Sequence, residues 1–81
     1  MNQVILSGKL NYIDESNPKR LVFELLVDNE PFAIDVTEKT RGIIKTIPLG
    51  TQIKITGHLV IDHSVGYFVN VVADNIELTK L

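Results

Sequence analysis

The residue types that carry out catalysis are scarce in this chain. Its 81 residues include no cysteine and only two histidines, His58 and His63. Two isolated histidines cannot complete a four-ligand zinc site without cysteines or a carboxylate cluster. The sequence also shows no serine–histidine–acid set and no glycine-rich phosphate loop. We therefore expect no enzyme, no cofactor, no metal ion and no small-molecule substrate.

The aromatic residues are the next candidates, because an exposed ring can stack on a nucleobase. Side-chain alternation places Phe68 outward, where it either stacks a base or seals a contact between subunits. Tyr12, near the first loop, is a second stacking candidate. Phe23 and Phe32 lie on an apolar strand face and are expected in the core. Tyr67 is expected to be half-buried at a hairpin end.

Cations could hold the phosphates of such a ligand, since phosphate contacts position a strand without reading its sequence. Each single cation can equally be a solvated surface charge. His58 is expected beside Asn70, where a cross-strand hydrogen bond competes with a nucleic-acid contact. Lys54 is expected to face Asp74, which neutralises part of its charge. The candidate phosphate contacts are Lys9, Lys19, Arg20 and Lys54.

The acidic residues argue against the binding of nucleic acid. The formal net charge is −2 at pH 7, whereas a phosphate backbone favours a basic surface. Glu24 and Asp35 are expected to face each other on one outer surface, with Asp28 and Glu30 at the adjacent turn. Carboxylates in this arrangement would repel phosphates.

These side chains must be positioned by elements that the sequence pattern indicates. Alternating apolar residues predict a first strand from Gln3 to Ile13, and Gly8 within it predicts a bend. A loop follows from Asp14 to Lys19. Ile43, Ile44 and Ile47 have helical spacing and predict one short helix between Thr37, a candidate N-cap, and Ile47.

Two hairpins account for the remaining strands, and alternation is their main signal. The first is expected to turn at Asn29-Glu30 and the second around Ser64. The first register pairs Val27 with Phe32, Leu25 with Ile34 and Phe23 with Val36. The second pairs Ile61 with Tyr67, Leu59 with Val69, Gly57 with Val71 and Ile55 with Ala73 inside, and Val60 with Phe68 outside.

The resulting order is strand, strand, strand, helix, strand, strand. This order, with a glycine in the long first strand, predicts an all-β domain over residues 1–81: a five-stranded Greek-key barrel of the OB type, with one short helix between strands three and four. A five-stranded SH3-like barrel is the alternative, but it does not account for the helix.

Three segments resemble bacterial single-stranded DNA-binding proteins and the related primosomal replication protein B. They are residues 2–10 (NQVILSGKL), 49–59 (LGTQIKITGHL) and 71–78 (VVADNIEL). The resemblance implies single-stranded DNA binding and assembly into homodimers or homotetramers. This chain departs from the family pattern in having no tryptophan for base stacking.

Two functions therefore remain open. The first is a single-stranded DNA-binding protein in replication, repair or recombination, with RNA as an alternative ligand. The second is an OB-fold protein-interaction module or oligomeric scaffold that binds no DNA. No segment resembles a signal peptide, and no apolar run approaches the ~20 residues of a membrane span. We expect a cytoplasmic protein without membrane contact.

Overall fold

The chain forms five strands and one helix, and the computed structural model describes residues 2–63, 66 and 68–79. The elements in chain order are β1 (Val4–Asn17), β2 (Arg20–Val27), β3 (Glu30–Val36), α1 (Glu38–Ile44), β4 (Gln52–Asp62) and β5 (Phe68–Leu78). The strands close into one barrel in the order β1-β2-β3-β5-β4. This is the predicted OB fold, with the short helix between β3 and β4.

The β2–β3 hairpin turns one residue earlier than the sequence predicts, which moves each pairing partner by two residues. Its turn residues, Asp28 and Asn29, both have positive φ, at 52° and 66°. Two such residues make the tight turn whose twist matches that of the flanking strands. Leu25 therefore faces Phe32, and Phe23 faces Ile34. The predicted faces are confirmed, because a shift of two residues conserves side-chain alternation, but the predicted partners are wrong.

The partners in the β4–β5 hairpin differ from the prediction by two residues from Gly57 onward, and by three at Ile55, which pairs with Ile76 and not with Ala73. Leu59 pairs with Val71 and Gly57 with Ala73, not with the residues two positions earlier. Between Thr56 and Gly57 the register slips by one residue, and the extra residue on β5 is Asp74. Such a bulge increases local twist. The predicted turn centre, Ser64, and the predicted Ile61 partner, Tyr67, lie outside the described residues.

Strand β1 is longer than predicted, and it continues through Asn17. The expected loop from Asp14 is instead paired with β2 up to a two-residue turn at positions 18–19. Gly8 is buried where β1 passes from β4 to β2, and a Cβ there would overlap the Leu26 carbonyl group. Close backbone approach is thus the reason that this position carries glycine.

The core fills the barrel and is aliphatic apart from Phe23. Its buried members are Leu10, Leu21, Phe23, Leu25, Ile34, Ile44, Ile47, Ile53, Ile55, Ala73 and Ile76. Phe32 was expected there but is 39% exposed. It lies two residues before the first β3–β5 pair, Ile34 with Val71, so no described neighbouring strand covers it on that side.

Helix α1 is held to the barrel by its first turn. Thr37 is the predicted N-cap, and its hydroxyl accepts a hydrogen bond from the Thr40 backbone N–H at 3.3 Å. The Thr40 hydroxyl in turn donates to the buried carbonyl of Ala73 on β5 at 2.9 Å. In the described part of the chain, no helix is long and apolar enough to cross a membrane.

The β4–β5 hairpin projects beyond the closed barrel. Among the described residues, β1 pairs with β4 only as far as Gly57, and β3 pairs with β5 only from Val71. We call the projecting residues 59–62 and 68–70 the β4–β5 arm. Both faces of this arm are apolar and exposed, at Leu59, Val60, Ile61, Phe68 and Val69. The predicted inside position of Leu59, Ile61 and Val69 is therefore wrong, because no third strand among the described residues covers this part of the hairpin.

Candidate nucleic-acid interface

The outer face of β1, β2 and β3 carries an exposed aromatic ring beside a cavity. Tyr12 lies opposite Glu24 in the β1–β2 ladder and is 57% exposed. It lines a cavity of about 220 Å³ together with Val22, Ala33 and the buried Phe23. A cavity of this volume is smaller than the ~300–1,000 Å³ of drug-sized ligand sites and suits a single flat ring.

Two carboxylates complete the rim of this cavity, which we call the Tyr12 cavity (Tyr12, Asp14, Val22, Phe23, Glu24 and Ala33). The Asn11 side-chain amide donates to Glu24 Oε1 at 2.8 Å and so fixes the Glu24 carboxylate. The Ser16 hydroxyl and backbone N–H donate to Asp14 Oδ1 at 2.6 and 2.9 Å. These hydrogen bonds lower the pKa of Asp14, the hydroxyl contributing most.

At the end of the same face, Arg20 and Asp35 form a bidentate ion pair. Arg20 Nε donates to Asp35 Oδ1 at 2.8 Å and Nη2 donates to Oδ2 at 2.9 Å. The predicted pairing of Asp35 with Glu24 is wrong, because the shifted register places Glu24 opposite Ala33 and Asp35 opposite Val22. The outer face is consequently less acidic than the sequence suggested, since Arg20 neutralises one of its carboxylates.

A basic cleft adjoins this ion pair. Lys19, Arg20 and Arg41 line an open cavity of about 270 Å³, together with Asp35 and Glu38. Arg41 Nη2 donates to the Pro18 carbonyl at 3.5 Å, which links α1 to the β1–β2 turn. The sequence did not indicate Arg41 as a site residue, because only the closed barrel brings α1 against that turn. We refer to Lys19, Arg20 and Arg41 as the basic cleft.

The β4–β5 arm lies within electrostatic range of this cleft. Asp35 chiefly raises the pKa of Arg20, first by hydrogen bonding, and the charge of Asp62 at the end of β4 adds to the shift. Phe68 is 58% exposed, as an outward position requires, but it faces Asp62 and not the predicted Val60. The exposed Phe68 ring therefore lies opposite Asp62, the residue whose charge acts on Arg20.

Of the remaining predicted site residues, Lys54 and His58 lie on a different surface, formed by β1, β4 and β5. Lys54 stands between Ser7 and Glu77, so the predicted Lys54–Asp74 pair is wrong. Lys9 is exposed where β1 passes from β4 to β2, opposite Gln52 on one side and Leu26 on the other.

His58 on this second surface also differs from its predicted environment. Its Nδ1 lies 2.7 Å from Asp74 Oδ2, so the expected hydrogen bond with Asn70 is replaced. The cause is the bulge, which turns the unpaired Asp74 toward His58. Lys54 and His58 are therefore on β4, away from Tyr12, Lys19 and Arg20, whereas Lys9 lies on β1 three residues before Tyr12. Among the described residues, no group of three or more potential metal ligands is present.

Comparison with known proteins gives information on the fold. The sequence matches no protein-family model and no curated protein. Solved structures nevertheless superpose closely on it. The mitochondrial single-stranded DNA-binding protein Rim1 of S. cerevisiae has a TM-score of 0.73 at 13% identity, covering 98% of this chain and 94% of Rim1. The likeness is one of fold.

Two further structures show the same barrel. The single-stranded DNA-binding protein of Thermus aquaticus has a TM-score of 0.76 at 20% identity, and all of this chain matches 41% of that protein. An OBody bound to hen egg-white lysozyme has a TM-score of 0.77 at 9% identity, covering 100% of this chain and 97% of the OBody. OB barrels of this shape thus occur both in DNA-binding proteins and in a complex with a protein.

Proposed function

We propose that this chain binds single-stranded DNA, without catalysis, and acts in DNA replication, repair or recombination. The observation that carries the proposal is Tyr12, an exposed ring beside a cavity with an apolar surface, on the same outer face as the basic cleft. Two solved proteins with this fold are named as single-stranded DNA-binding proteins, which supports the assignment.

The path of the strand follows from the positions of these groups. One base stacks on Tyr12, and the neighbouring phosphates contact the basic cleft, Lys19, Arg20 and Arg41. Asp35 occupies the Nε–Nη2 side of the Arg20 guanidinium, so its Nη1 side remains able to donate to a phosphate. Phe68 on the β4–β5 arm stacks a second base. Lys54 and His58 would contact only a strand that continues around the barrel.

The experiment is fluorescence anisotropy with a labelled mixed-sequence single strand of about 15 nucleotides, within the range bound by one OB fold. Tyr12→Ala should weaken binding about five- to a hundredfold, since a stacked base contributes roughly 1–3 kcal/mol. Tyr12→Phe should bind as the wild type does. Leu49→Ala, at an exposed position between α1 and β4, is the matched control. Absence of binding at tens of micromolar protein would refute the proposal.

A second candidate function is a protein-interaction module that assembles as a homodimer or homotetramer. The exposed apolar residues on both faces of the β4–β5 arm favour it, because large apolar patches on soluble proteins commonly mark interaction sites. Phe68→Ala separates the two functions. Loss of self-association in sedimentation velocity with unchanged oligonucleotide binding would favour the interaction module. Intact assembly with weakened DNA binding would favour the first function.

A further inference from the structure

The residues that line the Tyr12 cavity can distinguish between bases in addition to binding one. Its lining includes the exposed Tyr12, the aliphatic Val22 and Ala33, and the buried Phe23. These parts recognise only the flat face of a ring, which every base has. The remaining two lining residues, Asp14 and Glu24, are polar, and they decide which base edge fits.

Both carboxylates are acceptors of hydrogen bonds and cannot donate while ionised. Asn11 donates to Glu24 Oε1, and Ser16 donates to Asp14 Oδ1. The second oxygen of each carboxylate, Glu24 Oε2 and Asp14 Oδ2, is therefore able to accept a hydrogen bond from a ligand. The Asn11 amide also restrains Glu24, which reduces the loss of side-chain freedom when a ligand binds.

Bases differ in what their edges offer to such oxygens. Cytosine carries a donating amino group at its 4-position, whereas uracil and thymine carry a carbonyl acceptor there. An amino group would donate to the carboxylate, as in the known pairing of Glu or Asp with cytosine N4. A carbonyl oxygen in the same place would meet a negative charge with no hydrogen between them.

We infer that the Tyr12 cavity prefers a base bearing an exocyclic amino group, cytosine among the pyrimidines, with Glu24 as the residue that determines the preference. The inference rests on the proposed function, since it needs a single strand bound across this face. Discrimination should be about tenfold, because uracil keeps an N3–H donor on this edge but replaces the 4-amino donor with an acceptor that meets the Glu24 charge.

The test compares oligodeoxycytidine with oligodeoxyuridine of about 15 nucleotides, within the range bound by one OB fold. The two bases differ at the 4-position and in the protonation of the adjacent ring nitrogen, both lack the thymine methyl group, and anisotropy gives each Kd. The wild type should bind the cytosine strand about tenfold more tightly. Glu24→Gln should bring the two Kd values within about twofold, because an amide can either donate or accept. Glu77→Gln, which removes the same charge on β5, should keep the wild-type preference.

The outcomes separate failure of the inference from failure of the proposed function. If neither strand binds, and a mixed-sequence strand does not bind either, the proposed function fails. If both strands bind equally to the wild type, or if Glu24→Gln keeps the full preference, DNA binding stands and the role of Glu24 is overturned. A preference for the uridine strand would likewise overturn it. Urea unfolding of Glu24→Gln verifies that the variant is folded.

Discussion

At the scale of single residues, Asp35 governs how much positive charge this face offers to a ligand. Its carboxylate holds two of the nitrogen atoms of Arg20, and the carboxylate is mostly covered, whereas about half of the Arg20 side chain is exposed. The sequence indicated both residues but not their contact. The contact depends on the β2–β3 register, and the predicted register was wrong by two residues. The candidate site therefore looked more acidic in the sequence than it is in the structure.

Asp35→Asn should increase the affinity for single-stranded DNA by about three- to tenfold at low salt. It removes one negative charge and frees Arg20 for one more phosphate contact, which steepens the dependence of log Kobs on log salt by about 0.7. The free energy of unfolding should fall by less than about 1 kcal/mol, since the pair is partly solvent-screened. Anisotropy at several salt concentrations measures the effect. An equal gain in Glu77→Gln, which removes the same charge elsewhere, would contradict this local explanation.

Asp14 provides a pH-dependent test at the same scale. Its pKa in the folded protein lies below the ordinary 3.8 because Ser16 donates to it. A lowered pKa stabilises the fold above the unfolded value, and that contribution is lost as the pH falls through the folded value. Ser16→Ala should raise the pKa of Asp14 part of the way to 3.8, and Ser16→Thr should not. An NMR titration of the Asp14 carboxyl carbon measures this, and an unchanged value in Ser16→Ala would show that the hydroxyl is irrelevant.

At the scale of elements, alternation in the sequence predicted which side chains share a strand face, but it did not predict where along each strand the core ends. A register error of two residues conserves alternation, and it applies to β2–β3 and to β4–β5 from Gly57 onward. Leu59, Ile61 and Val69 were nevertheless expected inside the barrel and are exposed. The β2–β3 register was mispredicted because the turn is centred on Asp28-Asn29, the two residues that adopt positive φ, and not on Asn29-Glu30. The bulge at Asp74 leaves a trace in the sequence, since the buried positions change parity between Ala73 and Ile76. The predicted register continued straight through this change and so missed the His58–Asp74 contact.

Substitutions of two glycines, one on β4 and one on α1, test how closely these elements pack against their neighbours. Gly57 lies on β4 inside the barrel, and a Cβ there would overlap the Val72 carbonyl group of β5. Gly57→Ala should therefore destabilise the fold by about 2 kcal/mol or more. A Cβ added at Gly42 in α1 would meet none of the described residues within 4 Å beyond its own helix, so Gly42→Ala should stabilise the fold by about 0.5–1 kcal/mol. Urea unfolding midpoints measure both changes, and a Gly57→Ala protein of wild-type stability would contradict the close approach of β4 and β5.

At the scale of the whole molecule, the charge distribution decides the strength of any DNA binding. The net charge is −2, and Lys19, Arg20 and Arg41 are gathered in one cleft, while Lys54 lies on β4 between Ser7 and Glu77. Affinity must then come mainly from stacking, since few phosphates are neutralised. The fold comparisons agree with the barrel but carry no information on this balance.

The slope of log Kobs against log salt should accordingly be shallow, about −2, which corresponds to about three phosphate contacts on a single strand at roughly −0.7 each. Anisotropy titrations over a range of salt concentrations give this slope. Lys19→Gln should reduce its magnitude by about 0.7, whereas Lys54→Gln should leave it unchanged. A slope near about −5, made shallower by Lys54→Gln, would show instead that the strand continues onto the β1–β4–β5 surface.

The parallel pairing of β3 with β5 has a consequence for how the molecule forms. In the described part of the chain, residues 34–36 and 71–73 make this ladder, and they are brought together from distant parts of the sequence. Closing so long a loop is entropically costly and slows folding. The two hairpins can form from local contacts, but they remain an open sheet until this short seam joins. Its amide hydrogens should therefore exchange with deuterium sooner than those of the long β1–β2 ladder, through openings that leave both hairpins intact.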